Sequence, residues 1–317
     1  MDWANARIGV IGTGAIGAYY GVLLARAGAD VHFLLRSDFA AAQRQGLLIE
    51  HAQQGELHLQ PAQVYQRASD MPRCDVLLVC CKTTANQQML PLIEQVAAPG
   101  AAVVLMQNGY AVEDQLRAGL SADLHLLAGL CFICVHRKAA AVICHQAYGG
   151  VNLAYHSGPA GANAAAGQGL AQALSARFVA AGIDSHVLPD VATARWQKLV
   201  WNIPYNGLSV LLDASTGELM KNAASRSLIA RLMHEVVQAA NACGCDLPVA
   251  LVEKMLAATD RMPDYYPSMY HDYAQQRVLE LEAIYAAPLA AAQASGVSMP
   301  AVAMLLDCLR FKTTTEA

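Results

Sequence analysis

The run Ile8-Gly9-Val10-Ile11-Gly12-Thr13-Gly14-Ala15-Ile16-Gly17 constrains this chain more than any other stretch. It reads as a short buried strand, a Gly-x-Gly-x-x-Gly turn and the opening of a helix. Gly12 permits the tight turn off the strand. Gly14 has no Cβ, so the backbone can approach a pyrophosphate, and Gly17 lets the helix pack closely on a sheet. The first helical N–H groups, near Ala15 and Ile16, then point at the anion along the helix dipole. A helical stretch from Ala18 to Ala27, Gly28 as a stop and an apolar strand at Val31–Leu35 complete a βαβ unit. That context turns a weak glycine fingerprint into a dinucleotide-binding prediction. A competing reading takes the uncharged run from Ile8 to Ala25 as a signal or membrane segment. Its glycines and the strand that follows argue against that.

The length of 317 residues favours two domains. With 55% hydrophobic and 15% charged residues, a sizeable core is available and disorder is not expected. The net charge is −4, and no basic stripe with interleaved aromatics is present, so nucleic acid is not an expected partner. No other apolar run is long and clean enough to make a membrane one. The nine cysteines sit mostly in apolar runs and read as reduced, buried hydrophobes of a cytoplasmic protein. Cys131-Phe132-Ile133-Cys134 is a C-x-x-C with His136, Cys144 and His145 nearby, a conceivable zinc set. A strand there points the two cysteines to opposite faces, so no metal is expected.

Arg36 closes the second strand, where an NAD-preferring fold places an acid. A planar guanidinium suits a 2′-phosphate, which favours NADP. Leu47 to Leu59 alternates around Gln53-Gln54-Gly55 and predicts a hairpin. Asp75–Cys81 and Ala102–Met106 read as further buried parallel strands, ending in Lys82 and in Gln107-Asn108-Gly109. Carboxyl ends of such strands line the ligand crevice. Lys82 there suits the adenosine phosphates, and Asn108 suits the nicotinamide ribose or the substrate; alternatively Asn108 is only a turn residue before Gly109. From Leu124 to Leu153 the pattern is strand-like, with Arg137-Lys138 as the expected turn. Gly158 to Gly169 reads as a loop, Leu170 to Ala181 as a helix, and Val187-Leu188-Pro189-Asp190 as the hinge to a second, helical domain.

In that domain Lys198, Asn202 and Asn206 are spaced i, i+4, i+8 and share one helix face. On a helix otherwise rich in Trp, Leu, Val and Ile they read as a polar stripe aimed into a cleft, or else as a snorkelling lysine beside capping asparagines. Pro204 within this helix is expected to kink it and to turn Asn206. Ser268 is expected in an N-cap-like position of a helix that continues through Arg277, Glu280 and Glu282.

Taken in order, these pieces resemble the ketopantoate (2-dehydropantoate) 2-reductase family from Ile8 to about Met304. The matching motifs are Gly12-x-Gly14-x-x-Gly17, Leu35-Arg36, Lys82, Asn108-Gly109, Trp196-x-Lys198-Leu199-x-x-Asn202, Thr216-Gly217-Glu218-Leu219, Ser268-Met269-x-x-Asp272 and Glu280. The resemblance implies an α/β fold. An N-terminal Rossmann-type doubly wound sheet over residues 1–188 would bind NADP. An all-helical domain like that of 6-phosphogluconate dehydrogenase, over 189–317, would carry substrate and catalysis. It implies NADPH-dependent reduction of a 2-oxo acid to a 2-hydroxy acid. Lys198 would be the general acid and Glu280 its acidic partner. Asn108, Asn202, Asn206 and Ser268 would position the substrate. Gly12, Thr13, Gly14, Ala15, Ile16, Gly17, Arg36, Lys82 and Asn108 would hold the cofactor.

The chemistry is consistent with this reading. Charge develops on the ketone oxygen, a lysine ammonium can stabilise it and protonate it, and burial brings the lysine pKa toward the working range. The substrate carboxylate would lie against Ser268 and the helix start behind it. The chain departs from the family pattern at Glu282 and Tyr285-Ala286, where Asp and Asn-Gly are usual, and at Gly207, where proline is usual. Tyr265, Tyr266 and Tyr270 are expected to crowd Ser268. A bulkier 2-oxo or hydroxy acid is therefore an alternative substrate, and a non-catalytic NADP(H)-binding regulator a further alternative that Lys198 and Glu280 disfavour. Ala-rich helices such as Ala286–Ala294 are compatible with a homodimer.

Overall fold

The computed structural model describes residues 3, 5–159 and 163–314. By its own contacts the chain divides into two units, Met1–Gln107 with Glu113–Val191, and Asn108–Val112 with Ala192–Ala317. The break thus falls at Val191, beyond the expected 188. Residues 187 and 188 stay with the sheet because Val187 bridges to Leu153 and the Leu188 N–H donates to the Leu153 carbonyl. The short segment 108–112 belongs to the helical unit, drawn there by Tyr110 N–H donating to Ala283 O at 2.8 Å.

The first unit is one sheet with helices in its connections. Its strands are β1 (Ile8–Ile11), β2 (Val31–Leu34), β3 (Leu47–His51), β4 (Gly55–Leu59), β5 (Gln63–Tyr65), β6 (Cys74–Val79), β7 (Ala97–Leu105), β8 (His125–Ala139) and β9 (Val142–Ser157). Their spatial order is β4-β3-β9-β8-β7-β6-β1-β2-β5. The run from β8 to β5 is parallel, as the continuous apolar strands predict, since a strand covered on both faces has no polar side to show. The sheet as a whole is mixed, because β8–β9 and β3–β4 are antiparallel hairpins. The chain leaves β1 for β2 on one side and returns to β6 on the other, which makes the β1/β6 boundary the topological switch point.

The helices accompanying this sheet are α1 (Ala15–Arg26), α2 (Phe39–Gln45), α3 (Asn86–Val96), α4 (Val112–Arg117) and α5 (Ala164–Ala180). The uncharged run from Ile8 to Ala25 is β1, the turn and α1. It lacks charge because α1 is buried without interruption from Gly17 to Leu24.

Two local expectations need correction. The β8–β9 turn is at Ala140-Ala141, not at Arg137-Lys138. Both basic residues lie in β8, where Arg137 pairs with Asp38 and Lys138 with Glu50. The expected loop from Gly158 to Gly169 ends early, because Asn163 caps α5 by accepting the N–H groups of Ala165 and Ala166. Residues 160–162 of that stretch lie outside the described residues.

In this unit His32, His51 and His145 are buried and His125 is half-buried. The His51 and His145 rings stack with centroids 4.0 Å apart. Burial pushes His32, His51, His125 and His145 below the ordinary value of 6.5, and the neighbouring His145 lowers His51 further. Between the depressed and the ordinary values the unfolded chain binds more protons than the folded one. Stability is therefore full above pH 6.5 and declines as pH falls. The melting temperature is expected to drop between about pH 7.5 and 5.5, with a shallower slope in H51F; equal slopes would refute the assignment to the stacked pair.

The second unit contains α6 (Val191–Leu212), α7 (Thr216–Lys221), α8 (Ala223–Ala242), α9 (Leu251–Asp260), α10 (Ser268–Ala274), a π-helical turn at Glu282–Ala286, α11 (Ala287–Ala294) and α12 (Pro300–Thr314). Among the described residues, no helix is long and apolar enough to cross a membrane. Trp196, Leu199, Val200 and Ile203 of α6 are buried in one core with Val236 of α8 and Leu305 of α12. Pro204 does not end α6, which continues for two more turns. A proline inside a helix costs about 3 kcal/mol. Its neighbours Ile203, Tyr205 and Leu208 are all buried and contribute about 1.5–3 kcal/mol each, enough to hold the helix through it.

Candidate active site

The features expected to bind a nucleotide lie in the sheet unit, around the switch point. Gly12 has φ +82°, and a Cβ there would lie 2.5 Å from the Cys81 amide nitrogen, so the turn requires glycine twice over. A Cβ on Gly17 would meet the Gly12 carbonyl and Val10, each at 2.8 Å, which fixes the close seat of α1 on the sheet. A Cβ on Gly14 would meet nothing within 4 Å. This is the cradle expected for a phosphate: a backbone face left open by the missing side chain. Ala15 and Ile16 open α1, so their N–H groups have no intrahelical acceptor. The Thr13 hydroxyl donates to Leu34 O at 3.0 Å and ties the turn to the end of β2. Arg36 is exposed just beyond that end, and Lys82 is half-buried just beyond β6.

Sequence reasoning missed a polar pair beside this turn. Gln107, at the end of β7, donates to Cys81 O at 2.9 Å and to Asn86 Oδ1 at 2.6 Å. Asn86 is buried, and its Nδ2 has no acceptor. The available signal was the position of both residues beyond parallel strands. Burial also pushes the nearby Cys80 thiol well up, which makes it a packing group and not a thiolate.

The residues expected to handle substrate lie in the helical unit. α6 carries Lys198, half-buried, and then Asn202 and Asn206, both buried, in successive turns. Asn202 Nδ2 is buried without an acceptor. Leaving such a donor unsatisfied costs about 1–3 kcal/mol, a cost that a ligand oxygen would remove. Asn206 is buried two residues beyond Pro204. Its Oδ1 accepts the Met269 N–H at 3.3 Å, so it joins α6 to the start of α10.

The expected long helix from Ser268 is broken. α10 ends at Ala274, Gln276 takes a left-handed φ of 52°, and the chain re-enters helix only after Glu280. Glu280 is buried immediately before that segment, its carbonyl accepting the Ile284 N–H. Ser268 is the first helical residue and Pro267 the cap, with no side-chain capping bond. Asn108 is half-buried, next to Gly109, whose φ is +117° and where a Cβ would overlap Ala283. The close approach of this segment to the π turn depends on that pair of small residues.

Two of the departures from the family pattern, Tyr285 and Gly207, are matched inside the helical core, while Glu282 is exposed. Tyr285 is fully buried and its hydroxyl donates to Ile203 O at 2.9 Å. A Cβ on Gly207 would lie 2.7 Å from that hydroxyl, so the glycine makes room for the tyrosine. Burial pushes the phenol pKa up and keeps it a neutral donor. Nor are the three tyrosines before and in α10 loose. Tyr266 stacks on Tyr270 at 4.1 Å, and Tyr265 stacks on Trp201. Tyr270 donates to Asp213 at 2.7 Å, a bond that pushes its pKa up to about 12. The Thr216-Gly217-Glu218-Leu219 motif is structural. Ser215 and Glu218 form a capping box, while Thr216 and Gly217 hold Asp264 and Tyr265.

A glycine turn at the switch point of the sheet's parallel run, in a chain that also carries a lysine–asparagine helix face, is the pattern of a nicotinamide-dependent oxidoreductase, and the comparisons with known proteins give that class. The chain belongs to the ketopantoate reductase family. The description "Ketopantoate reductase PanE/ApbA" matches residues 8–158, and its C-terminal counterpart matches 190–313. A 2-dehydropantoate 2-reductase of Nostoc sp. is 39% identical over 308 residues, covering 96% of this chain and 94% of its own. The crystal structure of 2-dehydropantoate 2-reductase from Geobacter metallireducens superposes with a TM-score of 0.89 at 35% identity, covering 96% of this chain and 99% of its own. That of the Methylococcus capsulatus enzyme gives 0.83 at 33%, covering 97% of each.

Proposed function

We propose that this protein reduces 2-dehydropantoate, or a close branched 2-oxo acid, to the 2-hydroxy acid with NADPH, in the cytoplasm. The carrying observation is the α6 face: a buried carboxamide donor without an acceptor, one turn from a lysine. The names of the relatives support the same substrate.

NADPH would be held by the Gly12–Gly17 turn and the first amides of α1, with Arg36 and Lys82 taking its outer phosphates. The open face of Gly14 fits that role. When bound, the nicotinamide supplies the hydride. Lys198 Nζ holds the proton for the ketone oxygen and stabilises the charge that develops there. Glu280 supports the ammonium, and Asn202 Nδ2, Ser268 and Asn108 orient the substrate. Asn206 acts indirectly, by holding the start of α10. The buried, committed position of Tyr285 removes one of the grounds for a bulkier substrate.

The test is NADPH consumption against straight, branched and aromatic 2-oxo acids. Turnover is expected to be fastest with ketopantoate or its branched relatives. NADPH that binds but is consumed with none of them would overturn the proposal in favour of a regulator.

A further inference from the structure

Arg36 is not the only charge at the end of β2. Asp38 follows two residues later and is buried, and its carboxylate is held from several sides. Arg137 of β8 approaches it with Nε at 2.8 Å and with a second guanidinium nitrogen. The Ala141 N–H donates to it at 3.1 Å, and the Ser37 hydroxyl at 3.0 Å. Asp38 also stands before α2 without making a side-chain capping bond, so its carboxylate is committed to this pairing and not to the helix.

An acid at the end of this strand is the device that selects the ribose diol of NAD and repels a 2′-phosphate. In this chain the acid is present, yet it is matched by an arginine 99 residues away in sequence. We propose that Arg137 is a specificity-determining residue for the cofactor: by neutralising Asp38 it leaves Arg36 uncontested for the 2′-phosphate. The proposal rests on the NADP reading above. It explains why an arginine sits at the tip of β8, where the sequence pattern alone reads as a turn.

Removing Arg137 leaves a carboxylate uncompensated within a few residues of the phosphate site. An uncompensated unit charge inside a Debye length changes affinity for the more highly charged ligand by about ten-fold. The experiment is direct titration of NADPH and of NADH into the protein, followed by fluorescence, without any oxo acid. Wild type is expected to prefer NADPH. R137Q is expected to lose about ten-fold of that preference through weaker NADPH binding, with NADH affinity held. Adding D38N to R137Q removes the carboxylate charge and is expected to restore the preference.

Equal weakening of both nucleotides in R137Q would mean that the pair only props the loop, and would overturn the proposal. So would an unchanged ratio, or a ratio that D38N fails to restore. A wild-type protein that prefers NADH would instead refute the NADP reading on which the proposal stands, and the two failures are distinguishable in one set of titrations.

Discussion

Lys198→Ala is expected to lower turnover by about 10²–10⁴-fold, the range for loss of a general acid, while leaving NADPH affinity unchanged. The two readouts separate because Lys198 and the glycine turn belong to different units of the chain. In the proposed mechanism, loss of the ammonium would remove both the proton donor and the charge opposite the developing oxyanion, and the remaining asparagines would supply neither. Lys198→Arg tests the proton itself. A guanidinium keeps the charge but does not give up its proton near neutral pH, so its turnover is expected to stay low. Steady-state kinetics with saturating NADPH measure both variants. Wild-type turnover in the alanine variant would remove Lys198 from the mechanism.

The second large effect separates two glycines of one turn. Gly14→Ala adds a methyl group where nothing lies within 4 Å, so the protein is expected to fold and melt as wild type does. In the proposed cofactor site that methyl would occupy the space of the pyrophosphate, and NADPH affinity is expected to fall by about 100-fold, near 2.7 kcal/mol. Gly12→Ala is different in kind. It forces a side chain into φ +82° and against the Cys81 amide, so melting temperature and binding are expected to fall together. Thermal melting without ligand, followed by NADPH titration, reads both. A Gly14→Ala protein that binds NADPH as tightly as wild type would remove the turn from the cofactor site.

The parts of the fold that were legible are those where one local rule decides. The strand–turn–helix at Ile8–Gly17 announces itself because only glycines suit its geometry, and the i, i+4 spacing of Lys198 and Asn202 survives any packing of α6. Elements set by distant partners were not legible. Arg137-Lys138 looks like a turn until Asp38 and Glu50 are seen to pair with it across the sheet. The break after α10 depends on a left-handed Gln276, a conformation that glutamine does not advertise. Pro204 sits inside a helix that runs on past it, because its local cost is offset by burial that only the assembled core provides. Tyr285 stands out in the sequence only as a departure from the family's Asn-Gly, whereas in the fold it fills space left by Gly207, a match between residues far apart in sequence.

The central claim is that a 2-oxo acid is reduced on this protein by NADPH. It is tested most directly by incubating the protein with ketopantoate and NADPH deuterated on the transferring face of its nicotinamide, and examining the product by NMR. The account predicts a 2-hydroxy acid carrying one deuterium on the carbon that bore the ketone, formed in step with NADPH loss and abolished in Lys198→Ala. Product without deuterium, or bound NADPH left intact beside unchanged oxo acid, would contradict it.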